Sequence, residues 1–277
     1  MSLALVTGLL PGWLGRIALI ALAAAGLAGC AEIGGLGGPT VQSAAPAAAS
    51  GDEQWRAYAA DWGKRYDQNP GEKTASINYA RALRALNRFD EAAAVMRAAA
   101  VQAPQDYEVL GEYGKALADN GQLAQAKDVL TRAYPDDRPD PTILTVQGAV
   151  EDELGDHEGA RKFYAEALKI TPGDAFALNN LGLSYALTKD LSQAESTLRQ
   201  ASAGPRADAR VRNNLALVLS LEGKYAQAED VSRQDMSADA ARANVQAIRQ
   251  MIAGRSGGGH GLASARRPPS LTAIASQ

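Results

Sequence analysis

Histidine occurs twice in the 277 residues, at His157 and His260, and cysteine once, at Cys30. A lone thiol closes no intrachain disulfide. Two distant histidines with no cysteine cluster leave no zinc ligand set, so no metal is expected. Aromatic residues make up 5% of the chain, and the β-branched runs that build strands are missing. No basic face dominates either: 28 Lys and Arg stand against 31 Asp and Glu, a net charge of −3. That balance argues against nucleic acid as a partner. Nucleophile motifs and phosphate-cradling loops are also missing, so neither an enzyme, a cofactor nor a small-molecule substrate is expected. The acid cluster Glu151, Asp152, Glu153, Asp156 and Glu158 reads as a solvated face, because acid–base catalysis needs a desolvated carboxylate.

What is present is alanine and leucine, which favours closely packed helices. The length allows one or two domains. Residues 17–29, IALIALAAAGLAG, are an apolar run of thirteen preceded by Arg16. Such a run is short for a bilayer span and suits a signal-peptide core, so 1–29 reads as a leader. It closes on Leu27-Ala28-Gly29-Cys30, which resembles the lipobox of bacterial lipoproteins. The resemblance implies cleavage before Cys30, a diacylglyceryl group on its sulfur and an acylated new amine, an anchor of several acyl chains. An ordinary secretory signal and an uncleaved helical anchor are the alternatives. Ala31 stands where an aspartate commonly retains such lipoproteins in the inner membrane. The resemblance therefore implies the periplasmic face of the outer membrane. Residues 30–51, rich in Gly, Ala, Pro and Ser, read as a flexible tether with a reach of roughly 25 Å.

LNNLGLSYAL at 178–187 returns as RNNLALVLSL at 212–221, 34 residues later. A ruler of that period started at Lys73 runs through five repeats without a gap. Position 8 is Ala80, Gly114, Gly148, Gly182 and Ala216. Position 20 is Ala92, Ala126, Ala160, Ala194 and Ala228, and position 27 is Ala99, Ala133, Ala167 and Ala201. Small residues at fixed spacing mark the close approach of antiparallel helices, where a larger side chain costs about 1–3 kcal/mol. Position 24 (Met96, Leu130, Tyr164, Leu198) fills the space between them. Position 15 (Asn87, Gly121, Gly155, Lys189, Gly223) is the turn, where Gly or Asn accepts a left-handed backbone. Position 34 (Glu72, Asp106, Asp140, Asp174, Asp208) is an acid placed to cap the next helix. Leu181-Gly182, Tyr185, Ala194 and Leu198 resemble the tetratricopeptide repeat (TPR) pattern L-G-x2-Y…A-x3-F, with Leu for Phe. The resemblance implies an all-α TPR solenoid of about five 34-residue hairpins over 73–236.

The ends of the array differ. In the fifth repeat, positions 24 and 27 become Ser232 and Asp235, so ordinary stacking is expected to stop. Residues 238–253, with Ala241, Val245, Ile248 and Ile252 on one stripe, read as a C-terminal capping helix. Residues 52–70 carry Trp55, Tyr58, Trp62 and Tyr66 on one face. They fall in the second-helix slot of a missing repeat and read as an N-terminal cap whose aromatics are core. Residues 254–277 have three arginines, no acid and low complexity, a composition of disorder. His157, at position 17, replaces Phe89, Leu123, Leu191 and Tyr225 of the other repeats and reads as structural.

In TPR arrays the first helix of each repeat lines the concave surface, chiefly through positions 2, 5, 6, 9, 12 and 13. The resemblance therefore points to Phe176, Asn179, Asn180, Leu183 and Leu187, then Asn213, Asn214, Leu217 and Leu221. Leucines there would bury the side chains of a bound helix or extended peptide, and amides would satisfy its backbone. Asn at position 6 recurs at Asn78 and reads as structural; positions 5, 9 and 13 are expected to bind. The early groove is charged by Arg81 and Arg84, then Glu112 and Lys115, then Asp152 and Glu153. The basic set that grips chaperone C-termini in some TPR proteins is not evident. Lipobox, tether, aromatic cap and repeats in this order, over about Cys30 to Ala253, resemble the TadD family of TPR lipoproteins from tight-adherence (Tad/Flp) pilus systems. That implies a pilotin-like factor that helps an outer-membrane secretin localise or assemble. Its partners would be proteins, with the membrane met only through the lipid anchor. A periplasmic adaptor for cell-wall enzymes or outer-membrane protein assembly is the alternative.

Overall fold

The computed structural model describes residues 51–257; the leader, Cys30, most of the tether and residues 258–277 lie outside them. All described secondary structure is helical. Helix α1 spans Gly51–Gln68 and is followed by five hairpins. These are α2 (Lys73–Ala85) with α3 (Phe89–Gln102), α4 (Tyr107–Asp119) with α5 (Leu123–Leu130), and α6 (Pro141–Leu154) with α7 (His157–Ile170). Then come α8 (Ala175–Leu187) with α9 (Leu191–Ala203), and α10 (Ala209–Leu221) with α11 (Tyr225–Ser232). Helix α12 (Ala238–Gly257) closes the array.

Each first helix begins on the acid that the 34-residue register places there. Glu72, Asp106, Asp140, Asp174 and Asp208 accept hydrogen bonds from amides two or three residues on, satisfying donors the helix cannot pair itself. Each hairpin then turns through a left-handed residue: Asn87 (φ 58°), Gly121 (72°), Gly155 (92°), Lys189 (65°) and Gly223 (78°).

Inside the hairpins, positions 8 and 24 divide one space between them. A Cβ on Gly114 would come within 2.4 Å of Leu130, on Gly148 within 2.5 Å of Tyr164, and on Gly182 within 2.6 Å of Leu198. Glycine thus admits a bulky side chain from the second helix, and the position-20 alanines are all 0% exposed. Between hairpins, each second helix packs on the next first helix, and successive first helices touch: α2–α4, α4–α6, α6–α8 and α8–α10. Among the described residues no two second helices make comparable contact. The first helices therefore form the inner row of the stack.

Three features differ from the register's expectations. Helix α5 stops at Leu130, and residues 131–140 run as turns. Pro135, Pro139 and Pro141 keep the helix from resuming, since proline lacks the N–H and crowds the preceding turn; α11 stops at the same register position, Ser232, with no proline near it. Ala133 still reaches its buried place at 4% exposure. Second, the aromatic stripe of α1 is not core throughout: Trp55 and Tyr58 are exposed, while Ala59 and Gly63 make the buried face. Helix α1 packs on α2 as a second helix would, but no described first helix stands before it. Its rings instead pack edge to face, Trp55–Tyr58 at 5.7 Å and Tyr58–Trp62 at 6.0 Å, with Arg65 over Trp62. Third, stacking does not stop at Ser232, which is buried. Helix α12, extending to Gly257, packs against both α10 and α11 through Ala241, Val245 and Ile248.

Candidate protein-interaction groove

The inner row is built differently along its length. In its first half, charges from neighbouring first helices pair across the repeat boundary. Lys73 of α2 meets Asp106 and Glu108 of α4 at 2.8 and 2.9 Å. Arg81 meets Glu112 at 2.9 Å, and the buried Arg84 lies 2.6 Å from Asp119 and 3.6 Å from Glu112. Lys115 adds a contact to Glu112 at 3.1 Å. Burial opposes ionisation of Glu112, yet Lys115, Arg81 and Arg84 together hold its carboxyl down at about 2. Arg84, expected to face a ligand, is engaged inside this lattice with its side chain 6% exposed. Arg81 keeps a half-open face.

The middle corrects the acid-cluster expectation. Glu151 and Asp152 are buried, not solvated. Lys127 of α5 reaches Glu151 at 2.7 Å. The Asp152 carboxylate is raised in pKa by burial, against hydrogen bonds that favour its charge. It accepts from Ser184 Oγ (2.8 Å) and Tyr164 Oη (2.9 Å), with His157 Nδ1 at 2.8 Å. This cluster ties α6, α7 and α8 together. Ser184 is itself 0% exposed with its hydroxyl turned to Asp152.

The second half is apolar and amidic. Phe176, Leu187 and Leu217 are half-buried, Asn213 is exposed and Leu221 is 39% exposed. These line the open inner face of α8 and α10. Leu183, expected to bind, is 1% exposed on a helix that touches both α6 and α10, whereas Leu217, at the same register position, stays half-buried. The asparagines at position 6 do not all behave alike. Asn78 and Asn180 each donate to the carbonyl four residues back, at 2.9 and 3.1 Å. Asn214 donates to Asn179 Oδ1 at 2.8 Å and so links the fourth repeat to the fifth. The cross-repeat ion pairs were missed by sequence reasoning. Their signal was there, as opposite charges on consecutive first helices 31 to 35 residues apart.

Models of the tetratricopeptide repeat match residues 52–107, 88–150, 142–174 and 209–234. The chain is a tetratricopeptide-repeat protein. As a TPR scaffold it belongs to a class built to mediate protein–protein contacts. Among solved structures it is similar to a chain of the APC/C hetero-tetramer Cut9-Hcn1, with 17% identity and a TM-score of 0.57. That match covers 74% of this TPR chain and 40% of the other. It also resembles YrrB, a TPR protein with an unusual peptide-binding site (16% identity, TM-score 0.46, 69% and 99% covered). MamA from Desulfovibrio magneticus RS-1 is similar as well (16%, 0.45, 72% and 96%). Identities this low speak to the fold alone. No curated protein matches the sequence.

Proposed function

We propose that this TPR protein is a lipid-anchored scaffold on the periplasmic face of the outer membrane that assists assembly of a tight-adherence pilus. In this reading Cys30 carries the anchor. The inner face of α8 and α10 holds a helix or tail of the secretin or of another assembly component. The observation that carries it is the open line Phe176, Leu187, Leu217 and Leu221, on an inner row whose first half is closed by its own ion pairs. Apolar residues left uncovered on one face suit an amphipathic partner. The lipobox resemblance supports the membrane address.

Two variants test the two halves. Cys30→Ser is expected to abolish acyl labelling and to reduce secretin multimers and surface pili. Leu217→Asp with Leu221→Asp leaves the core intact, because neither side chain is fully buried. It is expected to keep helicity by circular dichroism and lose crosslinking to the partner. Leu183 is unsuitable for this test, since an aspartate there would be buried. Normal secretin multimers and pili in both variants would overturn the assembly role.

A further inference from the structure

The two ends of the described array are finished differently. At the C-terminal end α12 exposes Asp239, Arg242, Gln246, Arg249 and Gln250, a polar side suited to water. At the N-terminal end the open side is aromatic. Counted back one period from α3, Trp55, Tyr58 and Trp62 stand where Phe89, Ala92 and Met96 do. Ala92 and Met96 are fully buried in their hairpin, whereas Trp55 and Tyr58 are exposed and Trp62 is half-buried. A tyrosine at position 20 is also too large for the close approach that alanine allows a first helix there. The face is therefore not an empty seat for another hairpin helix. It is a ridge of rings held in place from the sides. Tyr58 Oη donates to Asn78 Oδ1 at 2.9 Å. Arg65 lies 4.5 Å over the Trp62 ring and 3.2 Å from Asp61.

What suits such a ridge follows from its chemistry and its place in the chain. Over α1 the acids outnumber the bases, so charge does not draw this helix to an anionic surface. The rings have apolar bodies and polar edges, the side chains that settle where a bilayer meets water. Only residues 31–50 separate Cys30 from α1, and a coil of that length reaches roughly 25 Å. Of the described helices, α1 is thus the nearest in the chain to the anchor. No described helix is long and apolar enough to cross a membrane, so a contact made by α1 lies on the surface.

We propose that the aromatic face of α1 docks on the lipid bilayer, with Trp55, Tyr58 and Trp62 at headgroup depth and Arg65 reaching among the headgroups. This rests on the membrane address proposed above. The anchor brings the bilayer within reach, and α1 fixes which end of the array meets it.

The test uses the full chain carrying Trp13→Phe, in which Trp55 and Trp62 are the only indoles. The protein is purified from cells in detergent and reconstituted into phosphatidylcholine vesicles, plain or brominated on the acyl chains close to the headgroup. Brominated lipid should quench most of the indole emission, at low and high salt alike. Trp55→Ser with Tyr58→Ser changes two exposed side chains and should keep helicity by circular dichroism. It should shift the docked-to-free balance about tenfold toward free, read as lost quenching of Trp62. Equal emission in plain and brominated vesicles overturns the proposal. So does a blue shift without quenching, which would mean that a second copy or another protein covers the rings. The membrane address fails separately: if Cys30 takes up no acyl label while brominated lipid still quenches, the anchor falls and the α1 contact stands.

Discussion

Gly148 has no room for a methyl group. Its Cβ would sit 2.5 Å from the ring of Tyr164, a side chain that is itself 0% exposed and cannot swing away. Gly148→Ala should therefore lower stability by about 1–3 kcal/mol, read as a lower urea midpoint at unchanged slope. Lys189 is the opposite case. It holds φ 65° with a side chain on its Cβ, where four companions use Gly or Asn. Lys189→Gly should raise stability by about 1 kcal/mol, read as a higher urea midpoint. Loss of stability in this variant would show that the turn is set by the lysine itself. Positions 8, 15, 20, 24 and 34 were legible in the sequence because each is fixed inside one hairpin and repeats with it. Leu183, Arg84 and Asp152 were not. Their burial depends on how far the neighbouring first helices close over them, and no single repeat encodes that distance.

At the level of elements, the contact of α2 with α4 is electrostatic as well as apolar, and Glu112 is its centre. Its folded-state pKa is depressed, from an ordinary 4.5 to about 2. The stability it contributes is therefore fully present above pH 4.5 and is lost as pH falls toward 2. A shift of that size corresponds to roughly 3 kcal/mol. Glu112→Gln should be less stable than the parent at neutral pH. The gap between the two should narrow as pH drops through this window, measured by chemical denaturation at fixed ionic strength. A gap independent of pH would mean that the carboxylate's charge contributes nothing. The existence, order and hairpin pairing of the elements could be read from the ruler, from Lys73 onward. The length of α5 could not, although the prolines that follow it were in view: Ala133 stays in register without a helix to carry it. The exposure of Trp55 and Tyr58 was missed for a different reason. An aromatic stripe at helical spacing reads as core whether or not another helix covers it.

Taken whole, the molecule is a line of neighbours. Its largest buried cluster runs from Ile77 to Val150, and another gathers Leu198, Leu215, Leu219 and Val245 at the far end. Smaller clusters around Leu144 and Leu178 bridge them. Among the described residues the substantial contacts join adjacent hairpins, so local opening has local consequences. Within residues 51–257, trypsin should cut first after Arg132, exposed just past the end of α5. Arg138 is followed by proline and should resist. Mass spectrometry of the early digest checks this, and a first cut inside α8 or α10 would contradict it.

The break after α5 decides where the stack would part under load. Residues 131–140 contribute no helix, and the chain is held across them by Ala133 in the core and by Tyr134 Oη, which donates to Gln147 at 2.8 Å. A pull on the two ends would release the ten residues, about 35 Å of contour, only after those contacts and the packing of α5 on α6 gave way.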